Sequence, residues 1–138
     1  MSSEAFPKLN DTNHRITSPE TPNYNCIAWA AEDDTKWWWP DPFAFWPFGR
    51  PKVATIDNFI QTFTLLGYVR TDNLEEEDGF LKIVLYVKDG VPTHMARQLS
   101  GGRWTSKLGQ SYDIEHDDPF CIEGPVYGEV HTYFKKPV

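Results

Sequence analysis

Residues 80–108 read FLKIVLYVKDGVPTHMARQLSGGRWTSKL. Leu81, Ile83, Leu85 and Val87 alternate through the first part, the period-two pattern of a strand with one buried face. Asp89-Gly90 then marks a tight hairpin, because a two-residue turn of this kind needs residues that accept positive φ. THMARQL (93–99) is the return strand, Ser100-Gly101-Gly102 the next turn and RWTSKL (103–108) a third strand. Two tight turns in succession make an antiparallel meander. Further on, VYGEVHTYFKK (126–136) alternates Val126, Gly128, Val130, Thr132 and Phe134 and reads as a closing strand.

Upstream of the meander the period changes. Ile56, Phe59, Ile60, Phe63 and Leu66 recur at helical spacing, with Thr55 as N-cap and Gly67 just past the end. Earlier, Asn23 or Asn25 caps a short helix over CIAWAAED. Between the second helix and the meander, LGYVRTDNLEEEDG reads as a strand or turn and an acidic loop, with EEED (75–78) as solvated surface. Helices followed by strands predict an α+β fold: two N-terminal helices packed on a C-terminal antiparallel sheet of four or more strands. Residues 1–24, polar and carrying Pro7, Pro19 and Pro22, read as an irregular arm of a single domain spanning 1–138.

Residues 36–51, KWWWPDPFAFWPFGRP, hold four Trp, three Phe and four Pro, a proline density that excludes a regular helix or a central strand. Two readings of this aromatic loop stay open. It is a lid over a secondary hydrophobic cluster, or it is the wall of a substrate groove formed by Trp37, Trp38, Trp39 and Trp46.

The chain has 138 residues, enough to bury a core without disulfides. Thirteen Lys and Arg against twenty Asp and Glu give a net charge of −7, which argues against a nucleic-acid or anionic-membrane partner. Six Trp, six Tyr and nine Phe are more rings than so small a core can hide, so an aromatic contact surface is expected. Two cysteines are too few for a disulfide scaffold. The first residues, MSSEAFPKLNDTNHR, have no apolar core of a secretory signal, and no apolar run approaches the length of a membrane span. A cytoplasmic protein is expected, although export by a signal-independent machine fits the same residues.

Cys26 opens the first helix, where backbone N–H groups and the helix dipole favour an anion and lower a thiol pKa. A buried cysteine acting as a small hydrophobe is the plainer reading of the same residue. A cysteine nucleophile needs a base, usually histidine. Of His14, His94, His116 and His131, His94 stands directly after a turn at the start of a strand. The order is therefore a cysteine at a helix start, a histidine at a strand start and a polar residue on the next strand. Cys121, in DDPFCIEG, reads as structural. The Cys and His spacings match no zinc pattern, and no dinucleotide or phosphate-loop fingerprint is present, so no metal and no cofactor are expected.

That order resembles the NlpC/P60 branch of papain-like cysteine peptidases. Tyr24-Asn25-Cys26 stands for the family's aromatic–Asp–Cys segment, His94 in THMARQLSGG for its histidine strand, and Ser106 in RWTSKLG falls at its third position. Asn25 replaces the usual Asp, and the third residue is normally His, Asn or Gln. YNCIAWA, WWWP and THMARQL…GRWTSKLG…IEH together also resemble a bacterial domain family without an assigned activity. The first resemblance implies a papain-like fold and a small cysteine hydrolase acting on an amide, peptide or thioester bond. Cys26 would attack, His94 would carry the proton and Ser106 would orient it.

The third role depends on a turn. A three-residue Ser100-Gly101-Gly102 loop puts Ser106 on the face of His94, whereas a two-residue Gly101-Gly102 turn puts Lys107 there. Asp113 or His116 would serve in the second case. The competing expectation is a non-catalytic interaction module of a bacterial toxin, immunity or defence system. It would grip a peptide or protein partner with basic surface through the aromatic loop.

Overall fold

The computed structural model describes residues 4–18, 23–108 and 113–138. Seven strands are present among them: β1 (His14–Ser18), β2 (Val69–Arg70), β3 (Phe80–Lys88), β4 (Val91–Gln98), β5 (Trp104–Lys107), β6 (Asp113–His116) and β7 (Glu129–Pro137). They form one antiparallel sheet in the order β1-β6-β5-β4-β3-β7-β2. The helices are short: α1 (Cys26–Ala30) has five residues and α2 (Ile56–Leu65) has ten.

The architecture corrects the expected fold class. The molecule is largely β, a seven-stranded sheet with two minor helices among the described residues, and not a papain-like α+β arrangement of two N-terminal helices packed on a C-terminal sheet of four or more strands. Two strands, β1 and β6, escaped the sequence reading for one reason: they are short and polar, and pairing makes them strands rather than local pattern. HRITS, inside the expected irregular arm, pairs with β6. Val69–Arg70 pairs with β7.

α1 is short because its end is acidic. Glu32 takes a left-handed conformation at φ 65°, and the Asp33 N–H returns to the Ala28 carbonyl at 2.8 Å. Negative charge at a helix C-terminus opposes the dipole, so Glu32, Asp33 and Asp34 give no support for a further turn. α2 runs as the periodicity requires. Thr55 accepts from the Asn58 N–H, and Gly67, at φ 102°, lets the Tyr68 N–H close on the Phe63 carbonyl.

β3 is covered on both sides. Ile83 and Leu85 face α1, α2 and the aromatic loop together with Met95 and Phe134. Val84 and Tyr86 face the other way, into a second cluster with Ala96, Trp104, Ile114, Ile122 and Phe6. The run Ile83–Val87 is apolar at every position for this reason, as in a strand buried on both faces. Lys82, almost fully buried, donates to the Asn73 and Glu75 carbonyls and to Glu77 Oε1 at 2.8 Å. The acidic segment is therefore tied down from beneath rather than merely solvated. No helix among the described residues is long and apolar enough to cross a membrane.

Candidate functional site

Asn25 builds the site. Its side-chain oxygen caps α1 by accepting from the Ala28 N–H at 3.1 Å. The same amide pairs with the Trp38 backbone in both directions, accepting from its N–H at 3.0 Å and donating to its carbonyl at 2.7 Å. One buried side chain thus fastens the aromatic loop to the helix start. Trp38 completes the tie by donating its indole N–H to Asp33 at 2.8 Å.

The four loop tryptophans divide in two. Trp38 and Trp46 are buried, Trp46 with its ring centroid 5.0 Å from that of Phe59. Trp37 and Trp39 are half-buried and line a cleft of about 360 Å³. Tyr127 and Ala44 line it with them, and the surface is mostly apolar. Cys26, Thr93, Asn25 and Asp41 supply its polar points. Asp41 holds the loop in shape, because its Oδ1 accepts from the Phe43 and Ala44 N–H groups at 2.8 and 2.9 Å. Beyond the cleft, Phe43 is 97% exposed, and Phe45, Phe48 and Val53 on the same segment are also exposed.

Cys26 begins α1 and belongs to the cluster that includes Met95. Burial pushes its thiol up to about 11. The backbone N–H groups of Met95, Ile27 and Cys26 itself, with the charge of Lys107, offset only part of that cost. His94 is fully buried. Burial, and then the charge of His116, hold its imidazole well below the ordinary range. Its ring stacks on Tyr127 with centroids 4.0 Å apart and lies 5.2 Å from Tyr86. Neither ring nitrogen has a hydrogen-bond partner, so the Cys26 thiol is not bonded to it.

Alternation along β4 explains why the two are not bonded. Met95 points to the α1 face, and successive residues of a strand point to opposite faces. His94 accordingly packs with Tyr86 and Tyr127 of the second cluster.

The turn between β4 and β5 uses the three-residue loop. Leu99 bonds Arg103, and Arg97 and Gln98 pair with Thr105 and Trp104. This register puts Ser106 on the His94 face, away from Cys26. There Ser106 Oγ lies 2.8 Å from His116 Nε2, and His116 Nδ1 lies 2.7 Å from the Asp118 carbonyl. A carbonyl only accepts, so Nδ1 carries the proton and Nε2 receives the Ser106 hydroxyl. Asp113 is on the α1 face, where it accepts from Tyr24 Oη at 2.6 Å and stands 3.9 Å from Lys107 Nζ. The structure thus brings Cys26 together with Trp37 and Trp39, and Ser106 with His116. No hydrogen bond joins Cys26 to His94, and the Ser106 hydroxyl is bonded to His116.

Sequence reasoning missed Tyr127, Thr93 and Asp41. Tyr127 looked like part of a strand, but Gly124 and Gly128 bond each other across a turn that presents it. The flanking glycines of GPVYG were the available signal. Both cysteines are unbridged thiols, and among the described residues no three His, Cys, Asp or Glu side chains converge as metal ligands.

Neither the curated proteins nor the solved structures include a match to this chain. A family model does match, over residues 15–135, and it covers the sheet, both helices and the aromatic loop. The chain therefore belongs to the family described as a domain of unknown function, DUF7689.

Proposed function

We propose that the protein is a non-catalytic recognition module that takes an exposed side chain of a protein partner into the cleft between Trp37, Trp39 and Tyr127. The observation that carries this reading is the cleft itself: a mostly apolar, aromatic-lined cavity with a few polar points, at the small end of the roughly 300–1,000 Å³ range of ligand sites. The exposed Phe43, Phe45 and Phe48 extend the apolar contact outside it. The net charge of −7 favours a partner with basic surface.

The cysteine-hydrolase reading keeps one specific observation in its favour. Cys26 lines the same cleft, and three backbone N–H groups lower the cost of charge on its sulfur. Attack on an amide, peptide or thioester carbonyl requires a base to take the thiol proton. His94, stacked beneath Tyr127, would have to reach the α1 face first.

Panning a synthetic peptide library that includes chemically modified as well as ordinary side chains on the immobilised chain tests the recognition reading. Enrichment of basic sequences sharing one anchor residue is expected, and selected peptides should lose at least about tenfold in affinity on Trp37→Ala or Trp39→Ala. Selected peptides that bind both variants as tightly as the wild type would contradict it, and so would failure to enrich any family.

A further inference from the structure

We infer that the ligand of the cleft is an alkylated ammonium group, presented as a methylated lysine side chain of the partner. This inference rests on the recognition reading above and names its ligand class. Trp37, Trp39 and Tyr127 line one small cavity, and among the described residues Asp41 is the only charged side chain of its lining. Indole and phenol faces attract cations through their quadrupoles, and a carboxylate beside them adds charge complementarity.

Among the described residues, the lining contains no Lys or Arg. Lys36 lies over the Phe45 ring at 4.8 Å, and Lys52 donates to the Ala44 carbonyl at 3.3 Å.

Alkylation matters because the polar groups are few. Asp41 already spends one oxygen on two backbone N–H groups. A bare ammonium ion would lose strong hydration on entering and find too few acceptors to replace it. An ammonium wrapped in methyl groups keeps its charge but sheds most of that hydration, so aromatic walls and a single carboxylate suffice. The exposed Phe43 and the adjoining apolar residues would then contact the lysine stem and its neighbours.

The test is a titration of the intact chain at constant ionic strength, followed by tryptophan fluorescence. The probes are N-acetyl-trimethyllysine amide, its neutral analogue with carbon in place of the ammonium nitrogen, and N-acetyl-lysine amide. Saturable quenching by the trimethylated probe is expected, with the other two about tenfold weaker, equivalent to ~1.4 kcal/mol. Trp39→Ala should abolish the response and Asp41→Asn weaken it, with both variants shown folded by circular dichroism. Equal binding of the neutral analogue would overturn the cation inference and leave the recognition reading standing. No saturable response to any probe would overturn it too. Saturable binding that survives both Trp37→Ala and Trp39→Ala would overturn the inference and the cleft reading together.

Discussion

Asn25 is an N-cap and a loop fastener in one residue, so its removal should cost more than a cap alone. Three hydrogen bonds of a buried amide are involved. A lost cap is worth ~1 kcal/mol, and leaving the Trp38 backbone groups unpaired adds 1–3 kcal/mol more. Asn25→Ala should therefore lower stability in urea by about 2–4 kcal/mol. A loss below about 0.5 kcal/mol would show that the aromatic loop is held from elsewhere. His116 sets a pH response. Burial lowers its pKa to about 4, whereas the unfolded chain titrates near 6.5. The unfolded state then binds the proton first, so stability is full above about pH 6.5 and falls as pH drops toward 4. The loss attributable to this residue is about 3 kcal/mol. Urea titrations across that window should show the decline, and His116→Gln should make it shallower by that amount, the remaining slope belonging to buried His94. Parallel profiles for the two proteins would contradict the assignment.

Among the elements, the turn 124–128 is the one on which the cleft most depends. A Cβ added to Gly128 would meet the Val87 carbonyl oxygen at 2.1 Å, and its φ of 75° is already left-handed. Gly101, at φ 97° with open space around it, is the matched control. Gly128→Ala should lower the melting temperature well beyond Gly101→Ala and displace Tyr127, changing the cleft's fluorescence response. Equal, small shifts for both would mean that the turn yields without cost. This turn also marks how far the sequence could be read. α2, the Asp89-Gly90 hairpin and the β4–β5 strands are local patterns, and each is visible in its own residues. Tyr127 enters the site only because two glycines bring a distant segment against β3 and β4, a contact with no periodic signature. The Cys–helix and His–strand order was equally legible. The order of residues along a chain does not say which face of a sheet a helix will cover, and here α1 covers the Met95 face.

For the molecule as a whole, the sheet separates two groups of chemistry-bearing residues. Cys26, Lys107 and Asp113 are on one side, His94, Ser106 and His116 pack on the other, and the cleft is walled from both, because Tyr127 belongs to the second cluster. The aromatic loop likewise divides between core and contact surface. Trp46→Ala should cost about 3–5 kcal/mol of stability, as truncation of a buried ring does, while Trp37→Ala should cost about 1 kcal/mol or less. Thermal unfolding of the two variants checks that division, and equal losses would contradict it. The central claim is recognition without thiol catalysis, and the pH profile of Cys26 alkylation tests it most directly. Iodoacetamide labelling of the native chain, resolved to each cysteine by mass spectrometry, should be slow at pH 6 and rise only toward pH 11, as a buried thiol without an imidazole partner requires. Rapid labelling of Cys26 at pH 6, with a midpoint below that of an ordinary thiol at about 8.5, would contradict the account and establish a catalytic thiolate.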